Sequence, residues 1–331
     1  MNPTEITTPK DIKNFATAFQ KSRVLLTAVE LDLFTVLDGH LLTSSDVAKK
    51  INSDARATDR LMNALVALGF LRKTQGKFYN TVHTNEFLIT GKPNFMGGLM
   101  HTAHLWKTWN TLTDAVRKGG SVYEREINNR GENWLEAFIA AMHYRAIKQA
   151  KIIAMMIDLN NVNTLLDIGG GSGAFSIGFI NTKNNTKATI LDLPNVIPIT
   201  KKYIEQEKLS DKIEYIEGNY LTADFKGPYD LTFLSAIIHI NSFEENKKLI
   251  QKCAGSLNPK GKVVVLDQIM NEDRTIPENG ALFALNMLVG TEHGDTYTKS
   301  EICSWMKDAD LTCIEKKETG FGSALMLGIK K

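Results

Sequence analysis

The feature that most constrains this chain is an apolar run that breaks into glycines and then into a helical pattern. Thr164-Leu-Leu-Asp-Ile168 leads into Gly169-Gly-Gly-Ser-Gly173, and Ala174–Asn181 follows with helical spacing. A strand that turns this sharply into a helix needs residues free to take positive φ, which glycine does without steric cost. The unit recurs downstream. Further β-rich runs at Ala188–Asp192, Ile213–Ile216, Tyr229–Leu234 and Lys262–Asp267 alternate with helical stretches at Ile197–Lys208 and Glu244–Leu257. Such alternation specifies parallel strands with crossover helices, a doubly wound α/β sheet covered on both faces. The last segment departs from it. Leu311–Glu318 and Ser323–Ile329, joined by a short glycine-containing turn, predict an antiparallel hairpin closing the sheet.

The first half reads as helical. Phe15, Phe19, Leu26, Val29, Leu33 and Val36 recur at three and four, the mark of an amphipathic helix with a break. Thr43-Ser-Ser-Asp46 supplies capping residues before Val47–Ile51, and Ala57–Gly69 predicts a further helix ending on glycine. Phe70–Tyr79 reads as a hairpin turning at Gln75-Gly76. Helices followed by a hairpin make a winged-helix pattern, which serves either DNA binding or dimerisation. The stretch Thr58–Leu68, where a recognition helix would lie, offers Arg60 as its only basic residue, whereas phosphate contacts need several. Dimerisation is the better reading. From Phe95 to Ile157 the pattern is again helical, interrupted at Gly119-Gly120, with Trp106, Trp109, Trp134, Phe138, Met142 and Tyr144 concentrating groups that build a core or line a pocket for a planar ligand.

Whole-chain quantities narrow the partners. The 331 residues suit two domains, 43% are hydrophobic and 23% charged, and the formal charge of +2 gives no strong field toward nucleic acid or anionic membranes. A small-molecule partner is expected, with no nucleic acid and no membrane. Cys253, Cys303 and Cys313 form no CxxC pair and read as reduced thiols. The polar segment Met1–Lys13 is unlike a signal peptide, and no apolar run approaches the ~20 residues that span a bilayer. A cytoplasmic location is the expectation.

The glycine loop bounds the chemistry. A helix opening on glycines offers unpaired N–H groups and a favourable dipole to a carboxylate or phosphate. Asp192, at the end of the next strand, suits a carboxylate that accepts bonds from ribose hydroxyls. Gly169, Gly171 and Ala174 also satisfy the dinucleotide pattern G-x-G-x-x-G/A, so both NAD and S-adenosylmethionine (SAM) fit the spacing. Asp167 weighs toward SAM, because a carboxylate beside the loop repels a pyrophosphate and suits a cationic methionyl end. The closing hairpin is also unlike the second half of a dinucleotide domain.

Four segments in series, Asp167 to Gly173, Leu191-Asp-Leu-Pro194, Gly218-Asn-Tyr220 and Leu234-Ser-Ala-Ile-Ile-His239, resemble the motifs of SAM-dependent O-methyltransferases of the caffeate and acetylserotonin type. Lys21–Phe34 and Leu65–Leu71 resemble that family's N-terminal dimerisation domain. The resemblance runs from about Phe15 to the C-terminus. It implies a seven-stranded Rossmann-like SAM-binding sheet preceded by a winged-helix dimerisation domain, and a homodimer. The expected division is 1–95 for dimerisation, 96–160 for a helical linker contributing to the substrate pocket, and 161–331 for the catalytic domain.

Carried over by position, Asp167, Gly169, Gly171 and Gly173 would bind the cofactor, with Gly169 touching the methionyl part of SAM. Asp192 would bind the ribose, and Leu193, Asn219 and Tyr220 would surround the adenine. Ser235 would add a cofactor contact. His239 matches the family's base and Asp267 the carboxylate that orients it; Trp106, Trp134, Phe138, Met142, His143 and Met287 would line the acceptor pocket. No metal is expected. This sequence departs from the family pattern where it reads His239-Ile-Asn241 in place of His-Asp-Trp, and where Thr296 stands at the position of a supporting Glu, with Glu292, His293 and Asp295 as neighbours able to substitute. The resemblance thus implies O-methylation of a small aromatic or polyketide-like hydroxyl. The alternatives are C- or N-methylation by proximity, a SAM-sensing DNA-binding regulator, and a dehydrogenase.

Overall fold

The structure is a computed structural model and describes residues 6–122 and 132–331, without the side chains of 132–134 and 137. The chain forms two compact units, Met1–Lys107 and Thr108–Lys331. Among the described residues no helix is long and apolar enough to cross a membrane.

The first unit is a helical array with a small wing. Helices α1 (Pro9–Thr17), α2 (Phe19–Glu30), α3 (Leu33–Val36), α4 (Ser44–Lys50) and α5 (Ala55–Ala67) precede strands β1 (Leu71–Thr74) and β2 (Lys77–Asn80); α6 (Val82–Phe87) and α7 (Gly98–Trp109) follow. The single broken helix expected over 15–36 is three: α1 ends before Ala18, and the left-handed backbone at Asp32 (φ 49°) separates α2 from α3. The capping motif is as the sequence reads: Thr43 accepts from the N–H of Asp46 while the Asp46 carboxylate accepts from that of Thr43, an arrangement worth about 1 kcal/mol. Helix α5 begins two residues earlier than its apolar pattern, since Asp54 caps it. It buries Thr58, Met62 and Leu65, while Arg60 lies outward and pairs with Asp59 at 2.7 Å. Phe34, Leu65, Leu71 and Phe78 form the core of this unit. Phe15 and Phe19, part of the same apolar periodicity, remain 76% and 51% exposed.

In the second unit, α8 (Leu112–Lys118) and α9 (Glu132–Ile157) lead into β3 (Thr164–Ile168), α10 (Ala174–Thr182), β4 (Lys187–Asp192), α11 (Ile197–Gln206), β5 (Ile213–Glu217) and β6 (Tyr229–Ser235). After a 3-10 turn at Ile238–Ile240 come α12 (Phe243–Gly255), β7 (Leu257–Asp267), β8 (Ile269–Met270), α13 (Glu278–Gly290), β9 (Tyr297–Thr298), α14 (Lys299–Asp308), β10 (Leu311–Glu318) and β11 (Ala324–Lys330). The seven-stranded sheet runs β10-β11-β7-β6-β3-β4-β5, with β3 to β7 parallel and β11 antiparallel to both its neighbours. Residue 257, expected to end a helix, instead starts β7, because Leu257 pairs with Tyr229 across the ladder.

Both sheet faces are covered, which is why the strands read as apolar runs. Ile153, Ile177, Phe179 and Ile204 pack on one face beneath α9, α10 and α11. Leu249, Ile250, Ile302 and Trp305 cover the other beneath α12 and α14. The chain moves outward from β3 to β5 and then returns to β6, on the opposite side of β3. That reversal opens a crevice at the carboxyl ends of β3 and β6, where ligands bind in sheets of this class.

Candidate active site

One wall of the crevice is the loop after β3. Gly169, Gly171 and Gly173 take left-handed φ of 64°, 56° and 75°. At two of them the need is also steric: a Cβ on Gly169 would stand 2.3 Å from Ile237 Cδ1, and one on Gly173 would stand 2.9 Å from methyls of Ile190 and Ile204. The Gly171 N–H donates to Asp192 Oδ2 and the Leu193 N–H to Asp192 Oδ1, each at 2.7 Å. Asp192 is thereby aimed back at the loop, and burial raises its carboxyl above the ordinary range. Asp167, 2% exposed, accepts from Ser176 Oγ at 2.7 Å. Burial, with the nearby charge of Asp192, pushes its carboxyl up to about 6. Two like charges held in one water-poor crevice favour a cationic ligand and oppose a pyrophosphate. The residues present therefore fit SAM and disfavour a dinucleotide.

Beyond β5, Asn219 turns its Oδ1 onto the Leu221 N–H at 2.9 Å and stays exposed. Tyr220 is half-buried; its hydroxyl donates to Asn241 Oδ1 at 2.9 Å, and burial pushes that hydroxyl up to about 12. Leu193 remains 38% exposed beside Asp192. Ser235 closes β6 half-buried, and Ala236 next to it takes φ 57°, turning the chain out of the sheet.

That turn presents His239. Its Nδ1 lies 2.9 and 3.0 Å from the two oxygens of Asp267, which ends the adjacent strand β7 and is 5% exposed. The Gln268 N–H donates to Asp267 Oδ1 at 2.8 Å, fixing the carboxylate in turn. An acceptor-only carboxylate requires the proton on Nδ1, so Nε2 carries the lone pair. Asp267 thus reaches the imidazole despite being shorter than a Glu. At 296, where the resemblance led to expect a second carboxylate, Thr296 is buried and its carbonyl accepts from Arg274 at 2.6 Å. Asp295 lies 3.4 Å from the same guanidinium, while Glu292 and His293 are exposed and 3.7 Å apart.

Phe283 on α13 packs its ring edge-on to His239, with centroids 4.8 Å apart. The sequence reading missed it, although Met287 lies one helical turn along the same face and is buried. Asn286 accepts from Trp109 Nε1 at 2.9 Å, another pairing invisible to local spacing. His143, expected among the acceptor-lining residues, contacts the glycine loop. Its Nδ1 lies 2.9 Å from Ser172 Oγ in the glycine loop, and its ring stacks on Tyr203 at 4.2 Å. Phe138 packs with Ile139, Val196, Ile199 and Tyr203, and Met142 is half-buried on the same helix. Trp106 belongs to the first unit, where it meets Phe19 at 6.1 Å and the Arg23 guanidinium at 5.6 Å. The side chain of Trp134 lies outside the described residues.

The model of the O-methyltransferase domain matches residues 109–311, and that of the O-methyltransferase dimerisation domain matches 14–90. The chain belongs to the O-methyltransferase family. It is accordingly an enzyme of the SAM-dependent methyltransferase class. Among its relatives is the 3-hydroxy-5-methyl-1-naphthoate 3-O-methyltransferase of Streptomyces sahachiroi, 28% identical, the match covering 95% of this chain and 92% of that protein. Another is the tetracenomycin polyketide synthesis 8-O-methyl transferase of Streptomyces glaucescens, 28% identical over 99% of this chain and 98% of that protein. The crystal structure of human N-acetylserotonin methyltransferase in complex with SAM shares the fold, with a TM-score of 0.84, 24% identity, and coverage of 100% and 99% of the two chains.

Proposed function

We propose that this O-methyltransferase-family enzyme methylates a hydroxyl of a small aromatic or polyketide-like molecule, with His239 as general base. The observation that carries this reading is the imidazole held through Nδ1 by the buried Asp267, on the turn after β6 whose Ile237 packs against Gly169. When bound, SAM supplies an electrophilic methyl group and leaves as S-adenosylhomocysteine (SAH). Asp167, Gly169, Gly171 and Gly173 would hold its methionyl end, Asp192 the ribose, and Leu193, Asn219, Tyr220 and Ser235 the adenosine surroundings.

His239 Nε2 then accepts the proton of the acceptor hydroxyl, while Asp267 keeps the ring in the required tautomer and stabilises the imidazolium that forms. Phe283 and Met287 would supply an apolar wall for a flat acceptor. The aromatic hydroxyl class is supported by the naphthoate and tetracenomycin relatives, whose names describe such acceptors. A homodimer built on residues 1–95 fits the dimerisation-domain match and the exposed apolar stripe of Ile12, Phe15 and Phe19.

Calorimetric titration with SAM and with NADH, followed by SAH release in the presence of a panel of hydroxynaphthoates, tests the reading. SAM binding and acceptor-dependent SAH release are expected; NADH binding without SAM binding would sink it.

A further inference from the structure

A line of buried amides joins the adenosine end of the crevice to the base. Tyr220 Oη donates to Asn241 Oδ1 at 2.9 Å, Asn241 Nδ2 donates to Asn246 Oδ1 at 3.0 Å, and Asn246 Nδ2 donates to the Ile238 carbonyl at 2.7 Å. Ile238 directly precedes His239. Asn241 is 4% exposed and Asn246 is fully buried. The polarity of this chain is forced. A backbone carbonyl only accepts, so Asn246 must turn its NH₂ to Ile238, which leaves its Oδ1 for the Asn241 NH₂ and the Asn241 Oδ1 for the phenol. Every member is satisfied, and no link can be reversed without setting two acceptors face to face.

The rest of the turn is fixed around this line. Tyr297 Oη donates to the Asn241 carbonyl at 2.6 Å, and Ser242 with Glu245 forms the capping box that starts α12. On its other side His239 is held by Asp267. Tyr220 in turn lies within reach of the Asp192 charge, which adds to the effect of burial on its hydroxyl. Asn241 stands where the family pattern reads Trp, and here its amide oxygen and amide nitrogen each make a bond that connects the loop after β5 to the turn after β6.

We propose that Asn241 and Asn246 are positioning residues that transmit the placement of Tyr220 against bound SAM or SAH to the turn presenting His239, so that filling the adenosine site sets the base. This rests on the cofactor placement given under the proposed function. Tyr220 is the sensor, Asn241 and Asn246 are the link, and His239 is the group set.

The test uses the full-length protein with selectively ¹³C-labelled histidine, the His239 resonance being assigned by its loss in His239→Ala. SAH is added to saturation, with binding followed by calorimetry. In the wild type the His239 resonance shifts on SAH binding. In Tyr220→Phe, which removes one oxygen and leaves the ring, the shift is lost at SAH saturation. Asn241→Asp, which sets an acceptor against Asn246 Oδ1, loses it as well. A purely structural role would lower thermal stability and leave the SAH-induced shift in place, so a shift retained in Tyr220→Phe overturns the link. SAH binding to the wild type with no His239 shift overturns it too, while the cofactor reading survives. Failure of SAH to bind the wild type removes both.

Discussion

Each wall of the crevice holds a histidine and a buried aspartate, and at one of them the two meet directly. At the end of β6 and β7, His239 Nδ1 meets the Asp267 carboxylate directly. At the glycine loop the two residue types are kept apart by two serines, His143 on Ser172 and Asp167 on Ser176. A histidine on a carboxylate has a fixed tautomer and a partner for the charge it gains on taking a proton. A histidine on a hydroxyl has neither, and burial lowers the His143 imidazole below its ordinary value. Asp167 is pushed up, by burial and by the nearby charge of Asp192. The same residue types thus make a carboxylate-paired imidazole on one wall and a separately held histidine and carboxyl on the other.

The sharpest way to break this contrast is to remove each histidine in turn. His239→Ala is expected to lower turnover by about 10²–10⁴-fold, the range a positioned general base contributes, with SAM affinity measured by calorimetry little changed. His143→Ala should cost less than about tenfold, in line with a supporting contact. Equal losses would mean that the walls do not differ in this way, and a modest loss at His239 alone would point to transfer by positioning. Next in size is Asp267→Asn, which keeps the shape but permits the wrong imidazole tautomer. Turnover in a steady-state assay should fall by about 10²-fold or more.

The two walls were unequally legible in the sequence, for a physical reason. The glycine-loop wall is local: strand, turn and helix follow one another within Thr164–Thr182, and Asp192 ends the next strand, so spacing alone located most of it. The parallel sheet was legible too, because burial on both faces leaves unbroken apolar runs. On the other wall, His239 and Asp267 could be named only through the resemblance to the family's motifs; that they meet follows from adjacent parallel strands ending at the same level. Phe283 on His239, Asn286 on Trp109 and Tyr297 on Asn241 pair residues 44, 177 and 56 positions apart. No periodicity encodes such contacts. The contact of His143 with Ser172 was likewise beyond the sequence, since helical pitch alone does not tell which side of α9 meets the glycine loop.

Asp167→Asn addresses the buried carboxyl of the glycine-loop wall. The folded carboxyl sits at about 6 against an ordinary value of 3.8, so the fold favours its protonated form. The stability this contributes is fully present below about pH 4 and is lost as pH rises through 6, at a cost on the order of 2–3 kcal/mol by pH 7. The amide keeps an acceptor for Ser176 and cannot ionise. In differential scanning calorimetry of the ligand-free protein, the variant should melt above the wild type at pH 7, and the advantage should vanish near pH 4. SAM binding should move the opposite way, weakening by about tenfold or more in the variant. In the wild type it should weaken as pH falls through 6, because the cation loses its partner. A variant that gains no stability at pH 7 would mean that Asp167 is compensated by the fold.

The smallest expected effect lies at His143, and its sign is opposite to that of Asp167. Burial lowers this imidazole, with Glu207 pulling weakly the other way, so the fold favours the neutral ring. Its stabilising contribution is present above the ordinary value of 6.5 and is lost as pH falls through the lower folded value. His143→Gln retains a side-chain amide that can bond Ser172 and removes the titration. Thermal melts of the wild type should therefore fall slightly more steeply than those of the variant below pH 6.5. Asp167 becomes more stabilising over the same interval, so only the difference between the two proteins isolates the histidine. If instead the wild type gains stability relative to His143→Gln on acidification, His143 has found a negative partner. The glycine-loop wall would then pair its histidine with charge as the Asp267 wall does, and the contrast between them would disappear.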